Sequence, residues 1–364
     1  MNALRSLFFG LLAPVIAVAI AVVATSVVII ASGSDSGVGS FWSIMLAVPQ
    51  DRILVNIVNQ SSMIYLSAVA VAIGFRMNLF NIGVEGQYLV ASYAAATFVG
   101  AALLPGFVNI VLGLVIAIAV GAAWAGIAGL LKTYRGVSEV ISTIMLNAIA
   151  GIVVSYFLDK YGVHGGNQVN TATAPESSWV PGWTPFTSAD GAIWSLDLLA
   201  VLVGVGFWVL LSRTRLGFDL RATGASTTAA VASGVSVERM TLVAMLLSGG
   251  VAGLIWMPAY FGSAHVYGTT FQAGLGFTGI AVALLGRNQP LGMVFGALLF
   301  AFLSAQSNSL TLQTDISSSV VQITQGVAVL AVVVAYELVR RSRSRVEQRA
   351  VARATAPVNQ EVAA

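Results

Sequence analysis

Ten stretches of about 17 or more predominantly apolar residues punctuate this chain, and they leave few folds open to it. With ends loose by several residues they run over 7–31, 54–75, 79–102, 107–131, 138–158, 194–212, 241–261, 268–286, 291–310 and 317–339. A segment of this length and character crosses a bilayer as a helix, because the hydrocarbon core offers backbone polar groups no partner. The composition agrees: 57% of residues are hydrophobic, 9% are charged and the mean hydropathy is +0.90, whereas a soluble domain carries roughly a quarter charged residues. The expected fold class is an all-α polytopic membrane protein with about ten transmembrane helices. The first apolar run is longer than the h-region of a cleaved signal and is expected to span.

An even number of spans puts both termini on one side. With the termini in the cytoplasm, 15 of the 17 basic residues fall in inner segments, and only Arg52 and Lys160 fall outside. That bias follows the positive-inside rule. Residues 1–339 then form one transmembrane domain, and 340–364 form a basic cytoplasmic tail. The tail segment RRSRSRVEQRAVAR, from Arg340 to Arg353, suits either anionic headgroups or a simple stop-transfer flank.

The longest inner loop, Arg213 to Arg239, reads RTRLGFDLRATGASTTAAVASGVSVER. Ser226 can cap a short helix over Thr227 to Ser233, with Gly234 at the left-handed position that commonly ends one. Such a helix suits docking to a soluble partner; a plain solvated loop is the other reading. On the outer side, residues 32–53 form a Ser/Gly-rich linker with a short interfacial helix around Phe41 to Val48. The large outer loop, 159–193, holds Pro175, Pro181 and Pro185 with Trp179, Trp183 and, just beyond it, Trp194. It reads as a lip for an outside partner or as interfacial anchoring. The glycine pairs Gly249/Gly253 and Gly292/Gly296 permit close helix approach.

Polar residues inside spans are costly and therefore informative. The third span opens with NLFNIGVEGQ, residues 78–87, and contributes Asn81, Glu85 and Gln87. Asn81 and Glu85, four apart, are expected on one helix face, and Gly83 and Gly86 are expected to loosen the helix as in transporters. In the fifth span Glu139, Thr143 and Asn147 form a stripe at i, i+4 and i+8, with Glu139 near enough to pair with Arg135 or Arg76. Later spans add Gln272, Thr278, Asn288, Gln306, Asn308, Gln322 and Gln325. Asn81, Glu85, Gln87, Thr143, Asn147, Gln306 and Asn308 are the candidate translocation-pathway residues; a structural hydrogen-bond cluster between helices is the other reading. Amides and hydroxyls with few charges suit a neutral, hydrogen-bonding solute.

Several chemistries lack their residues. The chain has no cysteine, so thiol catalysis and disulfides are excluded. It contains no GxxxxGK[ST], HExxH or GxSxG stretch, and only His164 and His265 as histidines. No catalytic residues, metal site, resident cofactor or nucleic-acid partner are expected.

Five segments occurring in order carry a family resemblance: MNLFNIGVEGQ, GVSEVISTIMLN, FDLRATG…AAVASGVSVER, LSGGVAGL at 247–254 and GIAVALLGRNQPLG at 279–292. Together they resemble permease subunits of bacterial ABC importers, in the branch handling nucleosides and simple sugars and related to the ribose and branched-chain amino acid permeases. The likeness covers about residues 54–335, and NIGVEGQ and EVISTIMLN look most like the nucleoside forms. It implies the type II importer fold in the bacterial cytoplasmic membrane. It also implies cytoplasmic ATP-binding subunits, a second permease subunit, often a different chain, and an extracytoplasmic substrate-binding lipoprotein. ATP would be bound and hydrolysed by the partner subunits. The loop 213–239 matches the family's ATPase-coupling segment, with Asp219, Arg221, Gly224, Ser226, Ala229, Ala230 and Gly234 as its residues here; Ser226-Thr227 stands where the family often has Asn-Pro. The same machinery for a sugar or a branched-chain amino acid is an alternative solute reading. An ion-coupled secondary transporter using Glu85 is an alternative of another class.

Overall fold

Helix α3 (Asp51–Arg76) carries polar residues in its first half and is almost wholly apolar from Met63 to Phe75, and a stretch of that kind must be surrounded. In the computed structural model 83% of its most apolar 18-residue window is buried. The structure describes residues 19–31, 37–166, 168–186, 191–317, 319–327, 329–332 and 334–335. Arg5, the basic tail and the outer ends of the first and last apolar runs lie outside those residues. Residues up to Leu46 together with those from Ser307 form one compact unit, and Ala47–Gln306 form another.

In the larger unit, α3 is followed by α4 (Val84–Gly100), α5 (Gly106–Arg135) and α6 (Glu139–Tyr161). After the outer loop come α7 (Leu198–Arg213), α8 (Arg215–Ala225), α9 (Thr227–Ala232), α10 (Val237–Gly253), the short α11 (Met257–Ala259), α12 (Leu275–Leu285) and α13 (Pro290–Gln313). Helix α10 packs mainly on α5 and also on α3, and α12 lies on α3. The α5–α10 seam confirms the expected close approach. A Cβ on Gly249 would strike the Gly121 carbonyl, and one on Gly253 would strike that of Ala117. Helices α5, α6 and α7 keep less than a third of their apolar windows buried, as lipid-facing helices do.

Among the described residues, six helical segments are long and apolar enough to cross a membrane: Asp51–Arg76, Gly106–Arg135, Glu139–Tyr161, Ser195–Arg213, Val237–Ala264 and Pro290–Gln313. The other expected spans overlap shorter helices. These are α4 with 17 residues, α12 with 11, and in the smaller unit α1 (Ala19–Ala31) and α14 (Ser319–Val332). The eighth expected span, 268–286, is therefore corrected: residues 265–274 are non-helical. The chain before it also breaks, with α10 ending at Gly253 and a π-helical turn over Tyr260–Ala264. The interfacial helix of the linker, α2, spans Gly37–Met45 and starts earlier than expected.

The loop 159–193 is described except for residue 167 and residues 187–190. It forms two short antiparallel hairpins, β1 (Val163–Gly165) with β2 (Gln168–Asn170) and β3 (Gly182–Trp183) with β4 (Ile193–Trp194). Thr171 and Ala174 donate their amides to the carbonyls of Tyr267 and His265, and Val180 donates to Phe261. The Trp179 indole stacks on His265 with centroids 4.1 Å apart. The loop is thus laced over the broken backbone that follows α10.

Candidate functional site

The third expected span does not begin where its apolar run begins. Residues 77–83 form turns, with Asn78 at φ +57, and α4 starts at Val84 with Gly83 as its cap. Asn81 and Glu85 therefore do not share a helix face: Asn81 belongs to the turn and Glu85 to the first turn of the helix. Helix α4 runs unbroken through Gly86, so the expected loosening of the helix is corrected: the irregular backbone at 77–83 precedes it.

Asn81 is fully buried and fully bonded. It forms a reciprocal amide pair with Gln87, its Nδ2 donating to Oε1 at 3.0 Å and Gln87 Nε2 donating to its Oδ1 at 2.9 Å. Its Nδ2 also donates to Ser248 Oγ on α10 at 2.8 Å, and its Oδ1 accepts from the Gly83 amide. Ser248 in turn donates to the Ala70 carbonyl of α3 at 2.6 Å. One buried network thus joins α3, the 77–83 turn, α4 and α10. Such a network is stable only because every member is satisfied.

Glu85 turns the other way, and Tyr88 is beside it. The Glu85 carboxylate reaches the start of α12, accepting from the Gly274 and Gly276 amides. Tyr88 donates to the Gln272 carbonyl at 2.7 Å and stacks on Phe271, centroids 5.1 Å apart. Asn147 binds the same region from α6: its Oδ1 accepts from the Gly86 amide and its Nδ2 donates to the Ile82 carbonyl, both at 2.9 Å. Thr143 is buried and donates to the Glu139 carbonyl. The carboxylate of Glu139 pairs with Lys132 at 2.9 Å, so the expected pairing with Arg135 or Arg76 is corrected. Lys132 is one helical turn back on α5, where the tight Gly136 reversal brings it over the α6 N-terminus. Gln306 is buried and donates to the Ala47 carbonyl; Asn308 is exposed on α13.

Of the pathway candidates, the structure gathers Asn81, Glu85, Gln87, Thr143 and Asn147 around the start of α4. Asn81, Gln87 and Thr143 are buried there. Glu85 and Asn147 are half-buried.

Residues 213–239 are more helical than expected. Thr214 caps α8 by accepting from the Gly217 amide, a signal legible as Thr followed by an apolar-periodic run. Ser226 caps α9 as expected, accepting from Ala229 at 3.2 Å, and Gly234 has φ +83. Arg221, Ser226, Ala229 and Gly234 are exposed, Asp219 and Gly224 are half-buried, and Ala230 is buried. A Cβ on Gly224 would strike the Arg76 carbonyl and approach the Met77 backbone, so Gly224 seats α8 against the end of α3. Two residues were missed: Phe218 and Val231, each 61% exposed on α8 and α9. Large apolar side chains in a polar loop were the available signal.

The inner face of α8 does not stand free. Leu220 is buried with Met77, Leu79, Met240 and Ala244, with Leu216, Val235 and Val243 packed against them. Beside this cluster, the Arg76 guanidinium donates through Nη2 to the Asn288 carbonyl at 2.6 Å. That bond holds the α12–α13 turn, in which Arg287 and Asn288 both take positive φ.

A family model described as branched-chain amino acid transport system, permease component, matches residues 53–335. The chain is 34% identical over 337 residues to the guanosine ABC transporter permease protein NupP of Bacillus subtilis, covering 90% of this chain and 94% of that protein. It is 30% identical over 281 residues to the glucose ABC transporter permease protein TsgB13 of Haloferax volcanii, covering 73% and 72%. It is 27% identical over 312 residues to the nucleoside ABC transporter permease protein NupB of Lactococcus lactis, covering 82% and 84%. With its helical membrane architecture, its turn-and-helix network at 77–87 and a match over most of its length, the chain belongs to the permease-component family of branched-chain amino acid transport systems.

Proposed function

We propose that this chain is a pore subunit of an ATP-driven importer that moves nucleosides across the bacterial cytoplasmic membrane by alternating access. The similarity to two nucleoside permeases supports the solute class. ATP is bound by separate cytoplasmic subunits, a second permease completes the pore, and a binding lipoprotein delivers solute to the outer loop. The termini lie in the cytoplasm, in keeping with the placement of basic residues.

The observation that carries the mechanism is the cluster of Met77, Leu79, Leu220, Met240 and Ala244. A partner pressing on α8 and α9 pushes Leu220 into the turn that leads to Asn81 and α4. That turn is bonded to α3 and α10 through Ser248, so the displacement reaches the core helices as a unit. Energy released on another chain thus becomes a helix movement in this one. A glucose permease among the relatives makes a sugar the second solute reading.

The deciding experiment purifies the tagged chain from mild detergent, identifies its companions and measures uptake of labelled guanosine, glucose and leucine. Co-purifying ATPase, second permease and lipoprotein, with guanosine uptake requiring ATP, is the expected result. Glucose or leucine uptake in place of guanosine would move the solute class. A chain that purified alone, and that a Ser226→Cys probe failed to crosslink to any ATPase, would overturn the importer reading.

A further inference from the structure

Helix α12 starts deep in the membrane. Its Leu275 carbonyl accepts the hydroxyl of Ser67, the seventeenth of the 26 residues of α3. At about 1.5 Å per residue, Ser67 lies about 14 Å from the Arg76 end of that helix and about 24 Å from the Asp51 end. With a hydrocarbon core of about 30 Å, Leu275 is well inside it. The residues just before it, Gln272 to Gly274, are not helical. Irregular backbone is tolerated at such depth only where protein buries it or where it lines a water-filled cavity.

This chain does not bury it. Gln272 and Ala273 are exposed, and among the described residues neither amide N–H finds an acceptor. The Gln272 carboxamide likewise bonds none of the described residues. Its flanks, by contrast, are fixed. Tyr88 donates to the Gln272 carbonyl at 2.7 Å, and Glu85 accepts the Gly274 amide. Phe271 stacks on Tyr88 and meets the rings of Trp256 and Tyr267. A free polar side chain thus stands on an anchored backbone, as preorganised recognition requires.

We propose that Gln272 lines the aqueous path of the importer and reads the solute there, its carboxamide pairing edge to edge with a nucleobase. The inference rests on the nucleoside-importer reading above and names a residue that sets its specificity. A carboxamide presents one donor and one acceptor side by side in a plane, which is how glutamine reads a base edge elsewhere. Guanine and hypoxanthine offer the complement, N1–H beside O6. Glucose offers only rotatable hydroxyls, which impose no such plane. Glu85 is not free for this task, because both its oxygens accept amides of the α12 start.

The test uses the complete transporter in proteoliposomes. A Gln272→Cys variant of this cysteine-free chain should be labelled by a charged methanethiosulfonate, because a thiol facing lipid or a partner chain does not ionise. Gln272→Glu exchanges the donor for a second acceptor. It then suits guanine, whose N1–H and 2-amino group are adjacent donors, over hypoxanthine, which lacks the 2-amino group. Uptake of guanosine relative to inosine should rise about tenfold over the unaltered complex, the worth of one good hydrogen bond. The binding lipoprotein is the same in both, so a changed ratio reports this chain, and a residue that only packs helices would lower both solutes alike. An unlabelled Gln272→Cys variant would overturn the proposal, as would an unchanged guanosine-to-inosine ratio in Gln272→Glu. No guanosine uptake by the unaltered complex would instead overturn the nucleoside reading, and this inference with it.

Discussion

The carboxylate of Glu85, in the first turn of α4, accepts the Gly274 amide at 2.7 Å on one oxygen and the Gly276 amide at 2.8 Å on the other. Gly274 caps α12 at φ +93 and has no side chain to satisfy the helix's first amides. Glu85 does so from a helix far away in sequence. Negative charge at a helix N-terminus is favoured by the exposed amides and by the helix dipole. Gly276 has to be glycine here, since a Cβ would come within 2.6 Å of the Glu85 Cα.

Glu85→Gln replaces one accepting oxygen with an amide donor that faces a backbone N–H. One bond is lost and a buried amide is left unpaired, at a cost of about 1–3 kcal/mol. The expected result is a lower thermal midpoint for the purified complex, with ATP-driven uptake retained at matched amounts of assembled protein. Proton-driven uptake without ATPases, abolished by this change, would instead favour a secondary transporter.

The Asn81–Gln87 amide pair makes two reciprocal bonds, so the two residues should behave as one unit. Asn81→Leu strands Gln87, Ser248 and the Gly83 amide together and is expected to cost about 3 kcal/mol or more. Ser248→Ala removes the acceptor of the Asn81 amide and the donor to the Ala70 carbonyl and should cost about 1–3 kcal/mol. A double-mutant cycle over Asn81→Ala and Gln87→Ala should give a coupling of about 1–3 kcal/mol. Additive effects would show the pair to be independent.

The proposed partner surface on α8 and α9 is best probed at Val231 and Phe218, both exposed. Gly224 and Ala230 are poorer targets, because a side chain at Gly224 meets the Arg76 backbone and Ala230 is buried. Val231→Asp and Phe218→Glu should leave the melting temperature of this chain unchanged. Each should reduce co-purification of the ATPase and uptake about tenfold, the scale of an interface hot spot. Wild-type uptake in both variants would remove α8 and α9 from the coupling role.

His265 follows the last residue of a membrane-spanning segment and lies under Trp179, and burial lowers its pKa below the ordinary value of 6.5. The unfolded state therefore binds a proton more readily than the folded state. Stability from this site is present above pH 6.5 and is lost as pH falls through the lowered folded value. The thermal midpoint should drop between pH 7.5 and 5. His265→Asn, which tolerates the left-handed backbone at φ +55, should flatten that part of the profile.

The chain's membrane character, its apolar segments and the capped helix at Ser226 were determined by sequence alone. Each is a local matter: apolar length sets the need to span, and a serine hydroxyl finds an amide three residues on. The polar residues of NIGVEGQ were legible as anomalies for the same reason, since their cost in lipid depends only on their kind. Their roles were not. Asn81 and Glu85 looked like one helical face, but α4 begins after Asn81, and the two side chains bond in opposite directions. By sequence Glu139 was expected to pair with Arg135 or Arg76, and the turn at Gly136 instead brings Lys132 to it. The brevity of α12 and the break after α10 likewise follow from the third dimension. The stretch 265–274, HVYGTTFQAG, carries two glycines and several polar residues, and Glu85, Tyr88 and the loop 159–193 satisfy backbone groups there that a continuous helix would have satisfied itself. Local chemistry names the groups that need partners, and only tertiary structure, by bringing distant segments within 3 Å of one another, decides which partners they receive.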